Sequence, residues 1–346
     1  MKKISLIAVL LLLLSVIPSG CASDKAVLYV YNWGTYMDES INAQFEKEYN
    51  CKVVYTTYSS NEEMYTKLKN GNVTYDVVFP SDYMIEKMIG EDMLLPLDYE
   101  NISESANIDP SLLDKSFDPD NTYSVPYFWG TVGILYNKTM VSEPVTSWDI
   151  LWDTQYKNEI LMYDSQRDSL AVALKLLGYS MNTRDESQIA QAEQLLIDQK
   201  PLVLAYVTDT VIDMMIGEEA ALSVVYSGDA VYCMDENPNL AYAVPDVGSN
   251  VWYDNVAIPS CSQNKALAEA YINFLCRDDI AMKNTEEVGY TSANSNVLDA
   301  LKTEDWANNN AYFTPQDVID RCEIFKDPGN FVSVYADAWE RVKASN

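Results

Sequence analysis

Trp252-Tyr253-Asp254 sets an indole and a carboxylate two residues apart, and in an extended chain residues i and i+2 point to the same side. A π face offers electron density and an aspartate offers full negative charge, so the pair suits an organic ammonium better than an anion. Taken alone, the tripeptide fits a half-buried strand ending in a turn equally well. Aromatic and acidic residues recur together, however, at positions that read as strand ends or crossovers: Trp33, Tyr36, Tyr83, Asp168, Tyr226, Asp229 and Tyr290. Their spread fits a cleft assembled from distant segments rather than one local motif. With 25 tyrosines and 52 acidic residues some coincidence is guaranteed. Singly, Tyr36 and Tyr83 fit helix-entry packing, Asp168 fits an acid in a first helical turn, and Asp229 fits a turn.

The elements that must position this set alternate strand with helix. A first strand is expected from Val27 to Asn32, a helix from Met37 to Tyr49 and a second strand from Lys52 to Thr57. Ser60-Asn61-Glu62-Glu63 has the form of a capping box and opens a helix through Leu68 to Gly71. Tyr75 to Phe79 reads as the next strand, and Pro80-Ser81-Asp82-Tyr83 leads into another helix. Leu170, Leu174 and Leu177 form an apolar stripe stopped by Gly178; Ile189, Ala192 and Leu196 form one stopped before Pro201. Ala221 to Tyr226 reads as a buried strand running into Ser227-Gly228-Asp229, and Leu267, Tyr271 and Phe274 mark a late helix. This alternation predicts a parallel sheet with helices on both faces, where ligands sit beyond the carboxyl ends of strands. Asn32-Trp33 and Pro80-Ser81 fall there. Two short extended passages, near Tyr127 to Trp129 and near Trp252 to Asn255, are the expected crossovers between two lobes.

Bulk properties prune the chemistry. With no histidine in 346 residues, imidazole triads, histidine metal sites and histidine general bases are excluded. Lys2 and Lys3, an apolar run from Ile4 to Ile17, and Pro18-Ser19-Gly20-Cys21 have the order of an export signal, and the run is too short for an ordinary membrane span. Residues 1–20 are thus expected to be a leader. Cys21, directly after Ser19-Gly20, resembles the lipidated cysteine of a bacterial lipobox, which predicts an anchored protein on the outer face of the cell membrane. Five cysteines remain, Cys51, Cys233, Cys261, Cys276 and Cys322, without metal-ligand spacing, and they read as small buried hydrophobes. Loss of Lys2 and Lys3 with the leader takes the formal charge from −29 to about −31, which repels nucleic acid and draws in cations. Roughly 325 mature residues suffice for two domains.

Taken together, the sequence resembles the bacterial spermidine/putrescine-binding receptors that feed polyamine ABC importers, over nearly the whole mature chain. The resemblance is carried by Tyr31-Asn32-Trp33 with Tyr36, Ser60-Asn61-Glu62 with Met64-Tyr65, Tyr75-Asp76-Val77-Val78 through Pro80-Ser81-Asp82-Tyr83, and Ser124-Val125-Pro126-Tyr127 with Trp129-Gly130. Further on come Ser147-Trp148, Ala257-Ile258-Pro259, Ile272-Asn273-Phe274-Leu275 and Gly289-Tyr290. It implies an α/β, two-lobed periplasmic-binding-protein fold of type II. The lobes are expected at residues 26–129 plus 254–298 and 130–253 plus 299–346, with the ligand cleft between them.

In that family a tryptophan and tyrosines wrap the methylene chain of the polyamine while carboxylates and hydroxyls hold its amino ends. The matching positions here are Trp33, Tyr36, Ser81, Tyr83, Asp168, Thr208, Tyr226, Trp252, Asp254 and Tyr290. Tyr226 stands where a tryptophan is common, and Ser165 where spermidine-preferring members carry an acid. Asp229 matches an acid that putrescine-preferring relatives use on an amine, and Phe325 aligns with a glutamine of spermidine receptors. The resemblance therefore implies putrescine ahead of spermidine, with Asp254 on one amine and either Asp168 or Asp229 on the other. It implies an ABC permease as partner and no metal, cofactor or catalysis. Two other readings use the same residues: a secreted glycoside hydrolase with Asp168 and Asp254 as its carboxylate pair, and a ferric-ion receptor drawing on the tyrosines.

Overall fold

The computed structural model describes residues 25–71, 73–302 and 309–345. The expected leader and Cys21 lie outside the described residues. Ten strands among the described residues form one hydrogen-bonded sheet: β1 (Val27–Trp33), β2 (Lys52–Tyr58), β3 (Val77–Val78), β4 (Ser124–Asn137), β5 (Ile160–Tyr163), β6 (Val203–Val207), β7 (Leu222–Tyr226), β8 (Leu240–Ala243), β9 (Val251–Ala257) and β10 (Thr291–Ser292). The order is β2-β1-β3-β9-β4-β7-β5-β6, with β8 and β10 also pairing β4. Two parallel groups, β2-β1-β3 and β7-β5-β6, are the expected helix-flanked sheets. Between them β4 and β9 run antiparallel to their neighbours, which a purely parallel sheet did not anticipate. A chain that passes from one sheet to the other must run across the pattern of both.

The two expected crossover passages are in fact one paired unit. β4 pairs β9 from Ser124 to Thr131, then pairs β7 from Val132 to Tyr136. The change of partner at Thr131 and Val132 is where one lobe's sheet gives way to the other's. All seven residues of β9 are buried, and a register shift between Pro126 and Phe128 marks a bulge where proline cannot donate to the ladder. Tyr127, inside that bulge, donates its hydroxyl to the Tyr36 carbonyl at 3.2 Å.

Local chemistry explains where the remaining elements begin. Ser60 caps the helix Asn61–Lys69, its Oγ accepting from Glu63 N at 3.1 Å. The reciprocal half of the expected box differs: Glu63 accepts from Ser59 N at 2.9 Å, one residue further out. The first helix starts at Ser40 rather than Met37, because the Asp38 carboxylate accepts from Ser40 N at 2.8 Å and holds the entry as a turn. The expected strand Tyr75–Phe79 shrinks to Val77–Val78, because the Asp76 carboxylate takes Tyr29 N (3.0 Å) together with Ser262 Oγ (2.7 Å). The late helix, Lys265–Leu275, buries Ala268, Tyr271, Ile272, Phe274 and Leu275, and each such large side chain contributes about 1.5–3 kcal/mol. No helix among the described residues is long and apolar enough to cross a membrane.

Candidate functional site

Three strand-to-helix junctions, one helix-to-strand junction and the β4–β9 pair converge on the line where the lobes meet. Ser81 precedes the helix Asp82–Gly90, Ser165 precedes Gln166–Leu176, and Tyr226 ends β7 just before Ser227–Glu236. Tyr290 follows Gly289, the left-handed cap (φ 77°) of the helix Asp278–Val288, and leads into β10. Period-two alternation along β9 then sends Trp252 and Asp254 to one side. Tyr253 goes to the other, near Phe117 and Trp129.

Asp254 is buried and held by two hydroxyls: Tyr36 donates to Oδ2 at 2.5 Å and Ser81 Oγ to Oδ1 at 2.6 Å. Ser81 and Asp254 also face each other in an isolated antiparallel bridge, so the backbone sets this contact. Asn61 orients the serine by accepting from Ser81 N (3.2 Å) and donating to Ser81 Oγ (3.1 Å). Asp82 completes the support, accepting from Tyr83 N at 2.6 Å and Tyr253 N at 3.0 Å. Burial raises Asp254 to about 6, against the opposing pull of the Ser81 and Tyr36 hydrogen bonds, which favour the ionised form.

Asp168 makes the other end. It is buried in the first turn of its helix, its N–H reaching Ser165 Oγ at 3.3 Å and its Oδ2 accepting from the Tyr226 hydroxyl at 3.0 Å. Oδ1 is buried and has no hydrogen-bond partner among the described residues. An acceptor left so stands about 1–3 kcal/mol above one that is satisfied. Burial raises Asp168, resisted by Ser165, Tyr226 and the Arg167 charge.

A continuous aromatic wall joins the two carboxylates. Tyr226, hydrogen-bonded to Asp168, meets Trp252 edge-on at 6.1 Å between centroids; Trp252 meets Tyr290 at 5.0 Å, and Tyr290 meets Tyr36 at 5.5 Å. Tyr36 then returns to Asp254. Burial first, and neighbouring acids second, push Tyr36, Tyr226 and Tyr290 well above the usual phenol range, so they stay neutral. Trp33 braces the Asp254 end, 6.4 Å from Tyr36, with its indole N–H fixed on the Phe79 carbonyl at 2.8 Å. Asp229 is half-buried, its charge reaching Tyr290 and Tyr163; burial and then Asp209 raise it to about 7.

The remaining expected residues lie further out. Tyr83 turns its hydroxyl to Asn61 (3.1 Å) and Glu62 (3.0 Å). Thr208 is exposed at the end of β6, its carbonyl accepting from Val211 N. Phe325 lies under the Arg167 guanidinium at 4.3 Å, which is also 5.1 Å from the Tyr335 ring. Asn61, Asp82 and Arg167 were not among the expected site residues. A buried asparagine or aspartate at a helix entrance is the only signal that could have found the first two. No cluster of three or more potential metal ligands occurs among the described residues.

Comparison with known proteins follows this geometry. The family model for bacterial extracellular solute-binding proteins matches residues 40–314. The spermidine/putrescine-binding periplasmic protein of Salmonella typhimurium is 37% identical over 325 residues, 93% of each chain. The solved structure of the spermidine/putrescine ABC transporter substrate-binding protein PotD from Streptococcus pneumoniae, in complex with calcium and HEPES, matches with a TM-score of 0.84 at 40% identity, covering 92% of this chain and 99% of that one. The Tp0655 (TpPotD) lipoprotein of Treponema pallidum matches at 0.82 and 28%, covering 91% and 99%.

Proposed function

This chain belongs to the family of bacterial extracellular solute-binding proteins, and on that premise we propose that it is the receptor of a polyamine ABC importer, taking putrescine ahead of spermidine. The observation that carries the reading is the aromatic wall running between two buried carboxylates, one of them with an oxygen still unpartnered. An alkyl diamine matches it part for part. One ammonium sits against Asp254, the methylenes lie along Trp252, Tyr290 and Tyr36, and the second ammonium meets the free oxygen of Asp168. Asp229 adds negative potential beside Tyr290.

The preference for putrescine rests on Ser165 and Asp229. Ser165 accepts from Asp168 N as the helix cap and carries no charge for a third amine. In spermidine-preferring members of the family, as the resemblance has it, an acid stands there. Six heavy atoms at a ceiling of about 1.5 kcal/mol each allow about 9 kcal/mol, near micromolar affinity. The lobes of this reading are residues 26–129 plus 254–298 and 130–253 plus 299–346, with Cys21 as a lipid anchor on the extracytoplasmic face and a permease as the docking partner. A carboxylate-pair hydrolase is not favoured, because the similar proteins are named as binding proteins.

Thermal unfolding with putrescine, spermidine, cadaverine and glutamate tests the proposal. Putrescine should raise the midpoint most and glutamate not at all, because a ligand that binds only the folded state stabilises it by mass action. Absence of stabilisation by both polyamines overturns the receptor reading; a larger effect of spermidine overturns the ranking.

A further inference from the structure

Two glycines carry the aromatic wall, and neither has a positive φ that would require glycine. A Cβ at Gly130 would lie 2.6 Å from Trp252 Cζ2, and a Cβ at Gly228 would lie 1.4 and 1.5 Å from Tyr290 Cδ1 and Cε1, overlapping that edge of the ring. They differ in what they join. Gly130 and Trp252 are register partners on β4 and β9, so that contact exists whatever the lobes do. Gly228 opens the helix behind β7, past the point where β4 leaves β9, whereas Tyr290 enters β10, which pairs with the first half of β4 at Trp129 and Phe128. The Gly228–Tyr290 contact therefore spans the two lobes.

We propose that Gly228 is a positioning residue for the slot: its bare Cα is the seat on which the Tyr290 ring lands as the lobes close, and a side chain there holds them apart. This rests on the reading of the protein as a receptor that closes over its cation. The ring has no simple retreat, since Trp252, Tyr36 and Phe128 stand 5.0, 5.5 and 6.3 Å from it. Within the helix, glycine is a weaker former than alanine, so helix formation supplies no reason for it. Space for Tyr290 is the requirement left.

Gly228→Ala, followed by calorimetry with putrescine and by small-angle scattering, tests the assignment. Wild type should contract on binding. G228A should keep its ligand-free radius and bind about 100-fold more weakly or worse, because the closed state is depopulated. Its ligand-free unfolding midpoint should stay within about 2 °C of wild type or rise. In a Tyr290→Ala background, the same change should alter affinity by less than about threefold, since the clash is gone. Binding by G228A within about threefold of wild type, with the same contraction, overturns the seat. Should no polyamine bind wild type, the receptor reading fails by itself, and a crystal structure of ligand-free G228A then decides: a Tyr290 ring displaced from position 228 supports the seat, and a ring still packed against it overturns it.

Discussion

The two ends of the slot use the same parts, an aspartate, a tyrosine hydroxyl and a serine hydroxyl, and differ in how far the protein completes them. At the Asp254 end both carboxylate oxygens receive short hydrogen bonds, Asn61 holds the Ser81 donor, and Asp82 holds the backbone N–H of Tyr253 beside Asp254. At the Asp168 end Tyr226 donates at the longer distance of 3.0 Å, and Ser165 Oγ accepts from Asp168 N as the helix cap instead of making a short bond to the carboxylate. One carboxylate is thus preorganised by its own lobe, and the other has an open acceptor that a ligand can fill. The difference teaches that, under the proposed function, a slot can be rigid at one pole and left for its ligand to complete at the other.

The strongest way to break this comparison is to neutralise each pole. Asp254→Asn should weaken putrescine binding about 100-fold or more by calorimetry, losing a desolvated charge-assisted contact. Asp168→Asn should weaken it about 10-fold to 100-fold, because the amide still satisfies part of the site. Equal losses, or a greater loss at Asp168, would remove the asymmetry. The donors sharpen the point. Tyr36→Phe deletes the 2.5 Å bond and should cost about 10-fold in affinity, whereas Tyr226→Phe should cost about threefold or less. The reverse order would make Asp168 the preorganised pole.

A pH series probes the same asymmetry with smaller effects. Burial raises Asp254 to about 6, so the folded state holds this proton more tightly than the unfolded chain does. The stabilising contribution of the protonated group is full below about 4 and is lost as pH rises through about 6, a swing of roughly 3 kcal/mol at most. The ligand-free protein should therefore unfold more easily at pH 7.5 than at pH 5 in this respect, and Asp254→Asn should flatten that slope. Binding an ammonium demands the ionised carboxylate, so affinity should fall by up to about tenfold per pH unit below 6. A pH-independent affinity between 5 and 7.5 would disconnect Asp254 from the cation.

How much of this was legible in the sequence depends on distance along the chain. The common side of Trp252 and Asp254 follows from strand alternation, a local rule, and the structure gives them neighbouring aromatic partners. Ser60 as a cap and Gly178 as a helix stop, which sits at φ 76°, were legible for the same reason. Asn61 was read within a capping box and a family motif but not as a site residue, because its bonds to Ser81 and Tyr83 span 20 and 22 residues. Asp82 was read within the Pro80-Ser81-Asp82-Tyr83 motif but not as a site residue, because its partner Tyr253 is 171 residues away. The parallel-sheet expectation missed β4 and β9 as one antiparallel unit, since periodicity reports that a segment is extended and buried but not which way its partner runs. Of the expected site, Thr208 is the residue the fold leaves exposed, at the far end of β6.

Calorimetry of the wild-type protein at pH 7.5 with putrescine and with butylamine, which keeps the four-carbon chain and drops one ammonium, tests the two-pole slot most directly. The account predicts one putrescine per chain at near-micromolar affinity, and butylamine weaker by about 100-fold or more. Equal affinities, or no heat with putrescine, would contradict it.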